Sequence, residues 1–351
     1  MKYDCEREVL TPGMEQVLCD LCRSNDCTVI IKQRDLLLNV TQEEFLIVQC
    51  RTCGLVYLNP RPAQDRLGSF YPPIYYPPVS SKERSSLQRQ AKKASAQLKR
   101  WVLEDYYGYP SPRGAVRWRP LRKLLLWPDK TWRELKGRYP LPWRGQGKVL
   151  DVGCGAGGNL KTLQDQGWEP YGIEISEIAA AHARELTNGQ IHTGTVESAP
   201  FPPGAFDVVL MSHSLEHLPS PVDALRRIHR LLKDDGLLVI HVPNVRSLEF
   251  KLFGRWWFPL DPPRHFYHFD HSSLTATLAK SGFAPQVIRT AVGSIFLMAS
   301  LDRIWKHRFG KEVPFRNFID RLIAGPISFI AGQLGYGHEL TFYAVKEGRR
   351  S

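Results

Sequence analysis

Short apolar runs alternate with amphipathic helical stretches between residues 148 and 347 of this 351-residue chain. Segments such as PVDALRRIHRLLK repeat their apolar positions at helical spacing, and each apolar run is short enough for one buried strand. This alternation is typical of an α/β fold with a mainly parallel sheet. The predicted strands are KVLDVG, PYGIEI, QIHTGTV, FDVVLM, LLVIHV, PQVIRT and LTFYAV.

The first predicted strand ends in a glycine-rich turn, KVLDVGCGAGGNL, at residues 148 to 160. Gly153, Gly155 and Gly157 allow the backbone to bend tightly and to approach a ligand closely. Gly153, Gly155 and Gly158 also fit the spacing of dinucleotide sites. Asp151 at the strand end would repel a pyrophosphate and attract a cation. The turn therefore favours a charged nucleoside without phosphates.

A second acid follows at the tip of the next strand, EPYGIEI. Glu174, with Ile175 beside it, stands where a carboxylate can accept two hydrogen bonds from a ribose diol. From these residues, the chain resembles the class I S-adenosylmethionine-dependent methyltransferases over roughly residues 147 to 347. The resemblance continues in GTVESAPFPPGAFDVVLMSHSLEHL and RRIHRLLKDDGLLVIHVPN.

That resemblance implies S-adenosylmethionine as cofactor and a Rossmann-like, seven-stranded sheet. It places Glu197 near the adenine, and the strand end around Met211 to His213, with Ser212, near the methionine part. It also implies that the last strand inserts antiparallel after a long excursion over residues 293 to 336.

Two close cysteine pairs form a second motif. Cys19 and Cys22 are followed by Cys50 and Cys53, and Gly54 permits a tight turn that aims backbone amides at sulfur. The pairs predict a small zinc ribbon with strands TVIIK and FLIVQC. Four sulfur ligands leave no open position, so this zinc is expected to be structural. Cys5, Cys27 and Cys154 are expected to be packed or incidental thiols.

The order of the segments along the chain indicates a more specific family resemblance. A zinc ribbon followed by CGLVYLNPRP, YPPIYY and this core resembles a bacterial group of sugar and polysaccharide-pathway methyltransferases, including C-methyltransferases of nucleotide-linked deoxysugars. Further markers are SLEHL and WWFPLDPPRHFYHFD. The sugar C-methyltransferases carry an extra C-terminal domain, whereas this chain ends near its seventh predicted strand. The resemblance implies a small-molecule or glycan acceptor, such as a nucleotide- or lipid-linked sugar.

Four regions are predicted: a zinc ribbon at 1–60, a connector rich in Pro and Tyr at 61–80, a basic Trp-rich helical insert at 81–147, and the methyltransferase domain at 148–347. Residues 81 to 148 hold 18 Lys and Arg against 5 Asp and Glu, and five of the nine tryptophans. The insert is either a solvated basic helix packed on the core or a binding surface. As a surface, an anionic membrane or a lipid-linked glycan fits the tryptophans better than nucleic acid does.

The catalytic chemistry is expected just beyond the fourth strand of the domain. His217 in SLEHL is the predicted general base, with Glu216 beside it to orient it. Glu216 and His217 could instead be structural, or could hold magnesium as in ubiquinone O-methyltransferases. Tyr75 and Tyr76 are expected to fold over the cofactor, and Tyr76 or His265 is the alternative catalytic group. Arg264 is expected to bind an anionic acceptor, and Trp257 to form part of an apolar wall.

Two other functions remain open on the sequence. A zinc-ribbon ribosomal RNA guanine methyltransferase would use the basic insert for RNA, and a glycan-assembly adaptor would have a non-catalytic core. The charged start MKYDCEREVL predicts no cleavable leader, and the stretch Leu322 to His338 is too short to span a membrane. We expect a cytoplasmic protein, with peripheral association at the inner face of the membrane as an alternative.

Overall fold

The computed structural model describes residues 12–72, 86–111, 119–135 and 140–348. Its N-terminal part is built of short antiparallel strands, of which the second to fourth form a meander and the first pairs with the fifth. A 3₁₀ helix, Gln64–Phe70, then leads toward the rest of the molecule. The strands are β1 (Met14–Glu15), β2 (Cys27–Arg34), β3 (Glu44–Cys50), β4 (Val56–Leu58) and β5 (Arg61–Pro62).

Two helices, α1 (Ser86–Tyr106) and α2 (Arg119–Leu135), occupy the basic insert. Leu103 of α1 is buried against the sheet, in a cluster with Val149, Val208 and Val239. The C-terminal turn of α1 thus packs on the core, whereas Trp101 on the same helix is exposed. The guanidinium of Arg122 on α2 holds the buried carboxylate of Asp105 at 2.7 Å. The two helices are therefore tied together by an ion pair at the end of α1.

The remaining chain alternates strands and helices, as the hydrophobic pattern predicts. The strands are β6 (Lys148–Val152), β7 (Glu169–Glu174), β8 (Gln190–Thr193), β9 (Phe206–Ser212), β10 (Leu232–Pro243), β11 (Tyr267–His268), β12 (Phe283–Thr290) and β13 (Glu339–Lys346). The helices are α3 (Gly158–Asp165), α4 (Glu177–Leu186), α5 (Pro221–Leu231), α6 (Leu248–Phe253), α7 (His271–Lys280), α8 (Ile295–Phe309), α9 (Arg316–Ile319) and α10 (Gly325–Gln333).

Seven of these strands form one mixed sheet in the order β12-β13-β10-β9-β6-β7-β8. The strands from β10 to β8 run parallel, and β13 lies antiparallel between β10 and β12. The antiparallel last strand is thus confirmed. The strand order reverses between β6 and β9, and ligands bind open α/β sheets in the crevice at such a switch point. The carboxyl ends of β6, β7 and β9 meet at that edge.

The short strand β11 belongs to a different sheet. It pairs antiparallel with β4, so that the N-terminal meander gains its fourth strand from a loop of the α/β region. The N-terminal strands and the α/β region therefore share backbone hydrogen bonds. None of the helices in the described ranges is long and apolar enough to cross a bilayer.

Candidate active site

The turn after β6 needs glycine at particular positions. Gly157 has φ 83°, and a Cβ built there would lie 2.9 Å from the Cα of Ala183. Gly153 has φ 75°, and its Cβ would lie 2.7 Å from the Cβ of Ser214. Both positions combine a left-handed backbone with close packing, which only glycine satisfies without strain. The turn is therefore held closely against Ala183 and Ser214, which fixes its backbone at the end of β6.

Glu174 ends β7 beside this turn. One oxygen of its buried carboxylate accepts from the Gly155 amide at 2.9 Å, and the other accepts from the Ser176 amide at 2.9 Å. Each carboxylate oxygen keeps a further lone pair for a ribose hydroxyl. Ile175, which follows, is largely exposed. The structure thus brings together Glu174, Ile175 and the glycine turn, as the sequence predicts for a nucleoside site.

The loop that carries Glu197 is anchored next to Glu174. The Gly194 amide donates to the Glu174 carbonyl at 2.9 Å, and Glu197 lies three residues further along in an exposed turn. Ser212 ends β9, the strand adjacent to β6 on the other side. These predicted cofactor residues therefore surround one edge of the sheet.

Asp151 is buried under the same turn. Neither of its carboxylate oxygens makes a well-oriented hydrogen bond within the described residues, although the side chain of Asn159 lies close enough to lower its pKa slightly against the other effects. Burial, and after it the charge of Glu174, raises the pKa of Asp151 to about 7. A buried carboxylate without a cationic partner among the described residues fits a cationic ligand group that would pair with it. The residues present therefore fit S-adenosylmethionine, which carries an amino group, a sulfonium and a ribose diol.

A polar cluster lies beyond β9, on a short 3₁₀ helix, Leu215–His217. The ring of His217 has its Nδ1 3.0 Å from the carbonyl oxygen of Arg264, to which it can donate. That bond leaves Nε2 with the lone pair in the neutral ring. Burial, and after it the charge of His265, lowers the pKa of His217 to about 4. His217 is therefore neutral at physiological pH and able to accept a proton.

His265 lies against His217. Their ring centroids are 4.5 Å apart, and Nδ1 of His265 lies 2.7 Å from the carbonyl oxygen of Pro259. The structure thus brings Glu216, His217 and His265 together, as the sequence predicts from segments almost fifty residues apart. One ligand atom from each of these three residues lies within 4.8 Å of the others, so the cluster could also hold a divalent cation.

Glu216 is almost completely buried, and neither of its oxygens has a well-oriented hydrogen bond within the described residues. Its nearest cationic partner is His213, whose Nδ1 lies 3.5 Å away and whose Nε2 lies 2.7 Å from Glu339. Although burial by itself lowers the pKa of His213, the two carboxylates raise it to about 10. Sequence reasoning did not single out the side chain of His213, although it directly follows a buried strand.

Tyr71 is a second residue that the sequence analysis missed. Its hydroxyl lies 3.2 Å from Nδ1 of His217. The only sequence signal is its position at the start of the run YPPIYY. Tyr75 and Tyr76, the tyrosines predicted to fold over the cofactor, lie outside the described residues.

Two predicted acceptor residues are placed differently from the expectation. Arg264 is fully buried, and one of its terminal nitrogens contacts Asp35 at 2.6 Å and Asp261 at 2.5 Å, while the other donates to Asp35 at 3.1 Å. Two carboxylates already engage the fork that was expected to bind an anionic acceptor. Trp257 is also fully buried and packs edge-on against Phe250. Both residues support the loop from inside, because the ribbon and the helices around it cover their side chains.

The four paired cysteines converge at one point. The sulfur atoms of Cys19 and Cys53 are 3.5 Å apart, those of Cys22 and Cys50 are 3.4 Å apart, and all four lie within 4.8 Å of one another. Gly54 has φ 79°, and the amides of Thr52 and Cys53 bond the Cys50 sulfur. Four sulfurs at these separations suit a tetrahedral zinc ion with bonds of about 2.3 Å.

Cys27 and Cys154 are both buried, and Cys154 is a free thiol. Cys5 lies outside the described residues.

A cavity of about 450 Å³ opens beside the carboxyl ends of β9 and β10. Ser212 and His241 contribute from the strand ends, and Lys99 and Arg133 contribute from the two insert helices. Burial, and after it the charge of Arg133, lowers the pKa of Lys99. The insert thus supplies a basic wall at the edge where the cofactor residues and Ser212 meet.

Comparison with known proteins agrees with this geometry. Residues 122–286 match a family model described as "Methyltransferase domain". The ubiquinone biosynthesis O-methyltransferase of Pseudomonas aeruginosa is 36% identical over 103 residues, which cover 28% of this chain and 44% of that protein. The 2-methyl-6-phytyl-1,4-hydroquinone methyltransferase of Synechocystis is 30% identical over 169 residues, 45% of this chain and 53% of that protein.

Other matches are of the same kind. An uncharacterized methyltransferase, YcgJ of Bacillus subtilis, is 35% identical over 28% of this chain and 42% of its own length. The crystal structure of a putative S-adenosylmethionine-dependent methyltransferase from Listeria monocytogenes covers 62% of this chain and 96% of its own, at 21% identity and a TM-score of 0.42. This chain spans less than half the length of the first curated relatives that it matches.

The matched region contains Asp151, Glu174, Glu216, His217 and His265, but neither the cysteine ribbon nor the strand β13. The strand order and the antiparallel β13 complete the sheet around it. Residues 122–286 are therefore similar to a methyltransferase domain, and they lie within a seven-stranded mixed sheet of Rossmann-like topology.

Proposed function

We propose that this protein transfers a methyl group from S-adenosylmethionine to a small-molecule acceptor. One observation carries the proposal. Two buried carboxylates, Asp151 and Glu174, end adjacent parallel strands on either side of a left-handed glycine turn. Asp151 makes no well-oriented hydrogen bond within the described residues and suits the cationic amino acid part, while Glu174 suits the ribose diol.

The residues beyond β9 provide the proton transfer. When bound, S-adenosylmethionine supplies an electrophilic methyl group. His217 removes the proton of the attacking acceptor at Nε2, because its Nδ1 is committed to the Arg264 carbonyl. Glu216, beside His265 and His217, stabilises the imidazolium that forms. Positioning the acceptor behind the methyl group supplies the remainder of the acceleration.

The acceptor class that we favour is a nucleotide- or lipid-linked sugar. Lys99 and Arg133, whose Nε also pairs with Asp129 at 2.6 Å, place positive charge in the cavity beside Ser212, where a phosphate or pyrophosphate linkage would find partners. This cavity takes the role that the sequence analysis gave to Arg264. The resemblance of the ribbon, connector and loop segments to sugar-pathway methyltransferases supports the same class.

The four cysteines are proposed to hold one structural zinc ion. With four sulfur ligands the ion has no open position for a substrate, so it takes no part in methyl transfer. Its role is to hold the meander whose strand β4 pairs with β11, next to His265.

The test is methyl transfer from labelled S-adenosylmethionine to a panel of nucleotide-linked sugars, lipid-linked glycans and RNA. We expect transfer to a sugar, lost in Glu174→Ala and kept in Glu177→Ala, whose carboxylate is exposed and bonds Arg184 at 3.0 Å. Transfer to RNA alone would show that the protein is an RNA methyltransferase instead. Cofactor binding without transfer to any acceptor would favour a non-catalytic glycan-assembly adaptor. Wild-type protein that binds NAD but not S-adenosylmethionine would refute the proposal.

A further inference from the structure

The helical segment between residues 315 and 334 exposes most of its large apolar side chains to solvent. It runs from α9 through a π-helical turn, Asp320–Ala324, into α10. Large apolar side chains face solvent, with exposed fractions from 41% at Ile327 to 83% at Phe315. They are Phe315, Phe318, Leu322, Ile323, Ile327, Ile330 and Leu334.

The inward face of the same segment carries small residues. Ala324, Ser328 and Ala331 are buried against the protein. The exposed positions recur every three or four residues, so they form a continuous stripe along one side of the helical segment. Such a stripe in a surface helix normally faces the core, and here it faces outward.

Helix α2 likewise exposes large apolar side chains to solvent. Leu124 and Leu125 are each 71% exposed, Trp127 and Trp132 are more than half exposed, and Leu126 is its buried residue. Helix α2 and residues 315–334 meet near their C-terminal ends, where the side-chain amide of Gln333 donates to the Leu135 carbonyl at 3.3 Å. We call the exposed apolar faces of α2 and of residues 315–334 the docking surface.

Positive charge accompanies both parts of the docking surface. Residues 119 to 135 hold five Lys and Arg against two Asp and Glu, and residues 315 to 334 hold two against one. Each part therefore has a net positive charge, although Arg119 and Arg122 of α2 are paired with Asp105 of α1. This sign opposes pairing of the surface with a second copy of itself, and it favours an anionic partner.

We propose that the docking surface lies on an anionic lipid bilayer. Apolar residues with tryptophan, bordered by lysine and arginine, are the composition of helices that rest in the membrane interface. Neither helical segment is long and apolar enough to cross the bilayer, so both lie along it. The inference is independent of the proposed methyl transfer, because the test requires neither cofactor nor acceptor.

The experiment is co-sedimentation of the full-length protein with phosphatidylcholine vesicles and with vesicles containing phosphatidylglycerol. We expect binding to the phosphatidylglycerol vesicles that weakens with added salt. The double variant Phe318→Ser/Leu322→Ser should bind at least about tenfold more weakly, since two apolar side chains no longer leave water. Val40→Ser, which changes an exposed apolar residue of the ribbon region outside the docking surface, should bind like wild type.

A second variant separates charge from apolar burial. Lys311→Glu/Arg321→Glu should remove the preference for phosphatidylglycerol. Circular dichroism of each variant verifies that it is folded. Equal binding by the wild type and both double variants, or no sedimentation with either vesicle, would overturn the proposal. Light scattering that shows a dimer in the wild type and a monomer in Phe318→Ser/Leu322→Ser would assign the surface to a second copy instead.

Discussion

A terminal nitrogen of Arg264 lies 2.6 Å from a carboxylate oxygen of Asp35, and both side chains are fully buried. Asp35 follows β2 in the ribbon, whereas Arg264 precedes the candidate catalytic residue His265. The contact continues in the backbone, where the Leu58 amide donates to the Phe266 carbonyl and the Phe266 amide donates to the Glu216 carbonyl. The cysteine ribbon thus holds the loop that carries the candidate acceptor site.

We expect Asp35→Ala to destabilise the protein by about 3–5 kcal/mol, because the change leaves the buried Arg264 short of one partner. Thermal or urea unfolding measures this loss. The matched control is Asp26→Ala, which removes an exposed ion pair with Arg51 and should cost at most about 1 kcal/mol. Equal effects of the two variants would show that the buried contact is not a stability determinant.

Removing the zinc ligands should separate cofactor binding from turnover. In Cys19→Ser/Cys50→Ser we expect no bound zinc, since two of four ligands are lost. The cofactor site at β6 and β7 should keep its affinity, while turnover falls because β4 no longer anchors β11 and His265. Metal analysis, calorimetry and the transfer assay measure the three quantities. Zinc content that stays at one equivalent would contradict the four-cysteine assignment.

Glu174→Ala should weaken S-adenosylmethionine binding by roughly 1.5–3 kcal/mol, the usual value for hydrogen bonds to a charged group. The ribose hydroxyls lose their acceptor, and the Gly155 amide loses its partner. Titration calorimetry gives the affinity, with Glu177→Ala as the control at the first turn of α4. Unchanged affinity in Glu174→Ala would place the ribose elsewhere.

The raised pKa of Asp151 predicts a pH dependence of cofactor binding. At about 7 in the folded protein, it lies above its ordinary value of 3.8, so the free protein retains a proton there in mildly acidic solution. A cationic ligand binds the ionised form, so affinity should rise from pH 5 to about pH 7 and then level off. Calorimetry at pH 6 in buffers of different ionisation heat should detect proton release on binding.

Ionisation of Asp151 should favour cofactor binding but lower the stability of the free protein. Since its folded-state pKa is raised, the stabilising contribution is present below pH 4 and is lost as the pH rises through 7. Asp151→Asn should flatten both pH profiles and weaken cofactor binding. A binding profile in Asp151→Asn identical to that of the wild type would assign the proton to another group.

His217→Ala should keep cofactor affinity and lose turnover by roughly 100- to 10,000-fold, the usual contribution of a positioned proton acceptor. Because the pKa of His217 is lowered to about 4, turnover at saturating cofactor should persist at pH 6. His271→Ala, an exposed histidine at the start of α7, is the control. Unchanged turnover in His217→Ala would move the role to His265 or Tyr76, and chelator-sensitive turnover restored by a divalent cation would favour a metal at Glu216, His217 and His265.

Local patterns predicted the strands of the sheet well, because a buried strand needs a continuous apolar run and shows it directly. The glycine turn and the two acids were equally visible, since their spacing along the chain sets their positions at the strand ends. The buried positions of Arg264 and Trp257 were not visible in the sequence. Whether an arginine faces a ligand or a buried aspartate depends on a partner 229 residues away.

The sequence by itself determined the alternation of strands and helices, the cofactor turn with Asp151 and Glu174, and the paired cysteines. Each of these depends on residues close together in the chain, where covalent spacing fixes the geometry. Only the tertiary structure decided that β11 joins the ribbon sheet, that Tyr71 and His213 contact the catalytic cluster, and that residues 315–334 face outward. These depend on which surfaces pack together, and an apolar stripe alone does not say which side of it meets the core.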